Sequence, residues 1–214
     1  MIKSDLAAKA DKIIRELEKK YPEPKCALKH ENAWQLLVAT ILSAQCTDKR
    51  VNMVTPGFFK KFPSIESIAN AKQKDVENAI RSTGFFRNKA KNIIACANML
   101  LNEFSGKIPD TLEELVKLPG VGRKTGSVIL GTIYKKAEGI VVDTHVKRLS
   151  FRMGFTCEKD PEKIEKDLMK IIKPEKWIDF SHLLILHGRE RCVARRPDCE
   201  KCEIVALCPR IGIY

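Results

Sequence analysis

Apolar residues recur at intervals of three and four along most of this chain, the spacing that puts them on one face of an α-helix. No alternating strand pattern is longer than the short segment GIVVD, residues 139–143. The pattern predicts an all-α protein, with helices over residues 4–20, 32–46, 64–70, 73–82, 88–104, 111–117, 123–135, 144–153, 161–172 and 177–188.

The predicted helix ends carry residues that favour them. Thr111, with a glutamate three residues later, fits a capping box, and Asp160 fits an N-cap ahead of Pro161 at a first helical position. Gly106 and Gly154 fit as C-terminal stops. These residues indicate where the predicted helices begin and end.

Charge indicates the class of partner. The 214 residues carry a formal net charge of +12, with 44% apolar and 31% charged residues, which is the composition of a globular protein. Lysine and arginine gain affinity for a phosphate backbone by releasing its counterions, so a polyanion is the favoured partner and a basic but inert surface is the alternative.

Neither the N-terminus nor any internal run resembles a membrane or export segment. Charged residues interrupt the first seventeen positions, and the longest uncharged run, residues 32–47, is shorter than the ~20 apolar residues that span a bilayer. We therefore expect no membrane association, a cytoplasmic and nucleoid-associated location, a prokaryotic-type chain without a targeting segment, and a monomer.

Four of the eight cysteines form a compact group near the C-terminus. Their spacing is C-x6-C-x2-C-x5-C within seventeen residues, at Cys192, Cys199, Cys202 and Cys208. Soft thiolates select zinc or an iron–sulfur cluster, and so short a loop needs metal bonds to fold. Spacing alone leaves both metals open.

A glycine-rich turn separates two predicted helices in LPGVGRKTGSVILG, residues 118–131. Such a turn is either a simple connector or a helix–hairpin–helix whose amides, from Gly120, Val121 and Gly122, face outward to a phosphate. Arg123 and Lys124 follow it directly. A basic chain with cations at this turn favours contact with a nucleic-acid backbone.

Two further residues have a plain and a chemical interpretation. Lys124 is either a solvated or phosphate-binding cation, or an amine for covalent chemistry. Asp143 follows three apolar residues and precedes a predicted helix, where a carboxylate serves as an N-cap and is also free to act as a catalyst. Spacing does not decide either case.

Taken together, these residues resemble the endonuclease III family of DNA repair glycosylases. The resemblance rests on LLVATILSAQCTD at 36–48, LPGVGRKT at 118–125, VVDTH at 141–145 and LILHGRERCVARRPDCEKCEIVALCP at 184–209. It implies an all-α fold of two lobes. One is a six-helix domain with the helix–hairpin–helix, residues 25–137, and the other is a cluster domain from residues 1–24 and 138–214.

The same resemblance implies the activity and its site. The protein would be a bifunctional DNA glycosylase and abasic-site lyase, acting on duplex DNA that contains damaged bases or abasic sites. It would remove oxidised pyrimidines and nick the strand 3′ to the abasic site, with Lys124 as nucleophile and Asp143 as essential carboxylate. The four cysteines would hold a [4Fe–4S] cluster. Gln45 would enter the gap left by the flipped nucleotide, and Phe86 or Arg87 would act as a wedge. The other DNA contacts would be the hairpin residues Gly120, Val121, Gly122 and Arg123 and the cations Arg148, Arg195 and Arg196.

Other functions compete with this one. A lysine at 124 and the absence of a glutamate in TILSAQ disfavour the mismatch-specific thymine and adenine glycosylases of the same superfamily. A DNA-binding iron–sulfur module without catalysis and an iron–sulfur electron carrier come from other classes. Formation of a covalent adduct with DNA distinguishes the lyase from both.

Overall fold

The computed structural model describes residues 3–213, and all regular structure within them is helical. The α-helices of this part are α1 (Lys3–Lys20), α2 (Ala33–Ser43), α3 (Asp48–Lys61), α4 (Ile65–Ala69), α5 (Gln73–Ile80), α6 (Phe86–Glu103), α7 (Leu112–Leu115), α8 (Arg123–Ile129), α9 (Thr144–Arg152), α10 (Pro161–Met169) and α11 (Trp177–Glu190). A π-helical segment, Leu130–Tyr134, continues α8. The all-α prediction is confirmed, and GIVVD is not a strand.

The main difference from the sequence prediction lies after residue 43. Helix α2 ends at Ser43 rather than running to residue 46, because Gln45 takes a left-handed backbone with φ of 53°. Helix α3 was not predicted, since Pro56 inside it removes a backbone donor and lowers the helix signal. The Thr47 side chain accepts a hydrogen bond from the Arg50 amide and caps this helix.

The residues predicted to mark helix ends do so, although several helices begin or end two or three residues from the predicted bounds, as α10 does by ending at Met169 rather than at residue 172. Thr111 accepts from the Glu114 amide at the start of α7, and Asp160 caps α10 with Pro161 in the first turn. Gly106 and Gly154 have φ of 74° and 71°, respectively, just beyond α6 and α9. Glycine suits these positions because it adopts the left-handed conformation without steric cost.

The chain divides into two compact units, Cys26–Lys136 and Met1–Lys25 with Ala137–Tyr214, of which residues 1, 2 and 214 lie outside the described part. In the first unit, which we call the hairpin unit, α2 is buried along almost its whole length and packs with α3, α6 and α8. In the second, the cysteine unit, α11 packs with α1 and α9. Each unit has its own apolar core.

Among the described residues, no helix is both long enough and apolar enough to cross a bilayer.

Candidate functional site

Helices α7 and α8 with the turn between them form a helix–hairpin–helix in the hairpin unit. Leu115, Leu118 and Val121 are buried in the apolar core, so the turn is anchored on its inner side. A Cβ on Gly126 would lie 2.7 Å from Leu112 Cδ1, which shows how closely α8 approaches α7. The turn is therefore held by burial of its inner side chains and by the close contact between α7 and α8 that Gly126 allows.

Gly120 and Gly122 in this turn are glycines for different reasons. Gly120 has φ of 81°, and a Cβ there would meet Asn92 Cβ at 2.9 Å, so both its backbone and its neighbour in α6 require glycine. Gly122 has an ordinary φ of −93°, and a Cβ there would meet nothing within 4 Å. The fold of this chain does not require glycine at 122, which leaves room above that backbone for an external partner.

One hairpin amide differs from the sequence expectation. The Val121 N–H donates to the Leu118 carbonyl at 3.0 Å and the Val121 side chain is buried, so this amide is used inside the turn. The prediction that all three amides face outward is wrong for Val121. Gly120 and Gly122 themselves are exposed.

Lys124 lies in the first turn of α8, where its side chain is exposed. Arg123, the preceding residue and the first of the helix, is also exposed. The hairpin therefore presents a primary amine and a guanidinium within two residues of Gly122. An exposed amine at a fixed helix start is accessible to a reacting partner as well as to a phosphate.

Asp143, in the cysteine unit, is the N-cap of α9. Its Oδ1 accepts from the amides of His145 and Val146 at 2.7 and 2.8 Å. The capping interpretation is thus confirmed, and because Oδ1 makes both bonds, the cap fixes the carboxylate without using Oδ2. The side chain is half-buried. A carboxylate held in one orientation by two amides is suited to act on a positive charge.

Two loops of the hairpin unit present exposed side chains from left-handed residues. Gln45 follows α2 with φ of 53°, and Phe85 precedes α6 with φ of 47° and is 66% exposed. Non-glycine residues rarely adopt this conformation, and such strain persists where surrounding structure imposes it. Both loops therefore hold a side chain outward against the backbone's own preference.

Phe85 is the loop residue that sequence reasoning missed. Phe86, one of the two predicted wedge residues, is partly buried and packs against the apolar core. Its ring lies beneath the guanidiniums of Arg81 and Arg87, at 6.0 and 5.6 Å from their Cζ atoms. Phe86 is therefore an anchor rather than a protruding wedge. Gly84, directly before the two phenylalanines, is the sequence signal for an outward Phe85, because a glycine marks a sharp turn and the residue after it faces solvent.

The four cysteines of the C-terminal loop line one cavity in the cysteine unit, beside Arg152 and His187. The empty space between the lining residues, part of it open to solvent, is ≈ 360 Å³. None of the four forms a disulfide. Sulfur donors converging from one short loop form a ligand set for zinc or iron.

Burial disfavours the charged form of two of these thiols unless a cation is present. It raises the pKa of Cys202 to about 11 and also raises the pKa of Cys208. A bound metal ion reverses this effect, because a coordinating thiol is deprotonated outright. The cavity therefore fits a metal group held by thiolates.

Arg152 fixes the start of this loop. Its guanidinium donates to the carbonyls of Val193 and Ala194 at 2.8 and 2.9 Å, and Nη1 lies 3.3 Å from Cys192 Sγ. The side chain is 8% exposed. These bonds hold the first residues of the loop and the Cys192 sulfur against α9.

His187 is fully buried beside the loop. Its Nε2 lies 3.5 Å from Cys202 Sγ and its Nδ1 lies 3.8 Å from a Glu203 carboxylate oxygen, so ligand atoms of the three residues lie within 4.8 Å of one another. Burial lowers the pKa of His187. A neutral imidazole packed against Cys202 is suited to hydrogen-bond the Cys202 sulfur.

The predicted cations of the cysteine unit divide into two kinds. Arg195 and Arg196 are exposed on the loop between Cys192 and Cys199, and Arg196 has φ of 55°. Arg148 is instead half-buried, donating to the carbonyls of Gly188 and Cys192 at 2.9 and 3.0 Å. Burial lowers its pKa. Its guanidinium is committed to joining α9, α11 and the loop, which differs from the DNA contact predicted for it.

Residues 38–174 match a family described as HhH-GPD superfamily base excision DNA repair protein. The endonuclease III of Synechocystis sp. is 49% identical over 201 residues, covering 94% of this chain and 92% of the relative. The endonuclease III of Escherichia coli (strain K12) is 37% identical over 201 residues, with 94% and 95% covered.

Solved structures give the same relationship. A trapped endonuclease III–DNA covalent intermediate has a TM-score of 0.89 and 39% identity, with 98% of this chain and 97% of that chain covered. A non-covalent endonuclease III–DNA complex has a TM-score of 0.90. A thermostable thymine-DNA glycosylase, at 21% identity and a TM-score of 0.83, shares the fold. With the hairpin, the capping aspartate and the four-cysteine loop each in place, the chain belongs to the endonuclease III family of the HhH-GPD superfamily of base excision DNA repair proteins.

Proposed function

We propose that this protein is a bifunctional DNA glycosylase and abasic-site lyase that removes oxidised pyrimidines from duplex DNA and nicks the strand 3′ to the abasic site. The observation that carries the proposal is Lys124, an exposed amine at the start of α8. This chain is 39% identical to an endonuclease III that was trapped as a covalent intermediate with DNA. A covalent intermediate needs a nucleophile, and a lysine amine supplies one.

The reaction begins with extrusion of the damaged nucleotide. Its C1′ is inaccessible in a stacked duplex, and flipping it out costs a few kcal/mol, less when the lesion has weakened pairing. Phe85 and Gln45 are the exposed side chains that fill the space left in the duplex. Phe85 takes the place of Phe86 as the wedge, and Arg87, which is also exposed, stays a second candidate. The left-handed backbones of Phe85 and Gln45 hold both side chains ready before DNA arrives.

Lys124 and Asp143 divide the chemistry. The Lys124 amine forms a bond to C1′ as the glycosidic bond breaks, and the base leaves with the bonding electrons and takes up a proton given up by the amine, while the Asp143 carboxylate stabilises the positive charge that develops on the sugar. The sugar ring opens to an imine. Loss of a proton from C2′ then expels the phosphate at C3′, which cuts the strand on the 3′ side.

The hairpin binds the DNA backbone rather than the bases. The open space above Gly122 lets a phosphate approach the main chain, and the exposed side chain of Arg123 adds positive charge there. Gly120 serves the turn itself through its left-handed φ. This arrangement gives affinity without sequence preference, as expected of an enzyme that searches for rare lesions.

The cysteine loop holds a [4Fe–4S] cluster. Its four thiolates, from Cys192, Cys199, Cys202 and Cys208, fit that ligand set, and the bound cluster would supply metal–sulfur bonds that fix the loop. Base removal and elimination need no electron transfer. The loop's own contribution is to hold Arg195 and Arg196 exposed towards phosphates.

Trapping with borohydride tests the proposal. We expect Lys124→Gln to bind duplex containing a reduced abasic-site analogue within about tenfold of the parent, or about 1.4 kcal/mol. Trapping on duplex with thymine glycol or an abasic site, and strand nicking, should vanish even with protein in excess. Asp143→Asn should lose base removal but retain nicking at a preformed abasic site, where the base has already gone.

The outcomes separate the competing functions. A parent protein that binds lesion DNA but forms no adduct would be a binding module or a glycosylase without lyase activity. An adduct formed by Lys124→Gln at the parent's rate would make another amine the nucleophile. Lys117→Gln, which changes an exposed lysine of the same unit, is the matched control and should trap as the parent does.

A further inference from the structure

A buried lysine links the two loops that carry Gln45 and Phe85. Lys89 lies in the first turns of α6 and is 5% exposed. Its Nζ donates to the carbonyls of Leu42 and Thr83, each at 2.8 Å. Lysine is rarely buried unless its ammonium has partners, and here both partners are main-chain oxygens of other segments.

Each carbonyl lies two or three residues before a residue with a left-handed backbone. Leu42 is in the last turn of α2, three residues before Gln45, and Thr83 is two residues before Phe85. Both of the following residues have left-handed φ, 53° and 47°. One ammonium thus fixes the backbone on which each exposed side chain depends.

An apolar side chain would fill this position at lower cost if packing were the only requirement. Burial lowers the pKa of Lys89, which shows that the ammonium is disfavoured by its surroundings. Helix α2 has no basic residue in its own last turn, so Lys89 supplies the positive charge that the C-terminal carbonyls favour. Loss of that donor would leave two buried carbonyls unsatisfied.

We infer that Lys89 is a positioning residue that holds the Gln45 and Phe85 loops in register, so that the two side chains enter the duplex as one unit. This inference rests on the proposed function, in which these side chains fill the gap left by a flipped nucleotide. It assigns Lys89 no contact with DNA.

Lys89→Met tests the inference, because methionine has nearly the same length and no donor. Single-turnover removal of thymine glycol from duplex should fall by at least about tenfold, the scale of a small misplacement in a preorganised site. Lys89→Arg keeps donors and should recover most of the rate. Lys107→Met changes an exposed lysine of the same unit and should match the parent. All rates are measured below the thermal midpoint of each variant.

A double-mutant cycle separates register from stability. In the parent, the losses of Gln45→Ala and Phe85→Ala in binding an abasic-site analogue should be non-additive by at least about threefold, and the same cycle in Lys89→Met should become additive. Should Lys89→Met fail to fold, the same cycle is run in Lys89→Gln, whose shorter amide cannot reach both carbonyls.

The inference and the proposed function fail in different ways. If the parent forms no borohydride adduct, the proposed function is wrong whatever Lys89 does. If the parent forms the adduct but Lys89→Met matches Lys107→Met in rate, or the cycle keeps its coupling, the loops are held by something else and the inference is overturned.

Discussion

The hairpin and the cysteine loop both present cations from a turn, but different forces fix the two turns. The hairpin is anchored by Leu115, Leu118 and Val121 in the apolar core. In the described chain after Cys192, Ile204 is the one apolar residue that is fully buried. The loop is held instead by Arg152 and, we propose, by metal–thiolate bonds.

This difference shows that a rigid surface need not come from an apolar core. A turn next to a packed helix pair gains its rigidity from burial at little cost in polar groups. A loop of seventeen residues that carries two exposed arginines cannot bury enough apolar area to be rigid. In our proposal, metal–thiolate bonds take the place of apolar burial. The two turns should therefore respond oppositely to loss of metal and to changes in packing.

Loss of one cysteine should have the largest effect. Cys199→Ser removes one of the bonds that fold the loop, from a type of site that contributes on the order of 10 kcal/mol. We expect the parent to contain about four irons per chain and the variant to lose them. Amide exchange should become fast across residues 192–213 while α2 and α6 stay protected.

Cys157→Ser is the control for that experiment, because Cys157 is an exposed thiol of the same unit outside the loop. Its iron content and amide protection should equal those of the parent. Zinc in place of iron would refute the cluster assignment. Equal loss of protection in α2 would show that the hairpin unit also depends on the metal, which would remove the contrast.

A pair of glycine substitutions tests the hairpin. Gly120→Ala places a Cβ 2.9 Å from Asn92 Cβ in a left-handed residue, so we expect it to lower the free energy of unfolding, by about 1–3 kcal/mol for such a strained residue. Gly122→Ala meets nothing within 4 Å and should leave that free energy unchanged. Chemical denaturation measures both.

Binding to undamaged duplex tests Gly122 separately from stability. Gly122→Ala should weaken binding although it is stable, because the added methyl group occupies the space into which we place a phosphate. If Gly122→Ala binds as the parent does, the hairpin does not approach the backbone at that residue, and the glycine has another explanation.

The arginines of the cysteine loop should give the smallest effect. Replacing both Arg195 and Arg196 by alanine should reduce the slope of log affinity against log salt by up to about 1.8, or ~0.9 for each phosphate contact. Lesion-containing and undamaged DNA should weaken alike, since phosphate contacts carry no sequence information. An unchanged slope would place both side chains away from the DNA backbone.

Local signals were enough to predict much of this protein. Periodicity predicted the all-α class, and Asp160, Gly106 and Gly154 marked helix ends that the structure contains. The C-terminal cysteine spacing predicted a ligand group, and the four side chains do line one cavity. These features depend on residues close together in the chain, where sequence spacing fixes the geometry.

Features that depend on distant neighbours could not be predicted in this way. Pro56 weakened the helix signal of α3, and this helix is stabilised by packing against α2 and α5. Phe86 and Phe85 are adjacent and chemically identical, and only the left-handed backbone at 85 directs one outward and leaves the other on the core. Arg148 likewise resembles any basic residue until its carbonyl partners, 40 and 44 residues away, are seen.

The sequence by itself determined every α-helix except α3, the glycine-rich turn with its lysine, the capping aspartate and the thiol ligand set, because each of these depends on residues a few positions apart. Only the tertiary structure decided which side chains face outward and which lysine is buried. Lys89 and Lys124 are the same residue type on helices of one unit, yet one donates to two carbonyls inside the fold and the other is exposed. Burial and hydrogen-bond partners come from segments far apart in the chain, and it is these that separate a positioning residue from a nucleophile.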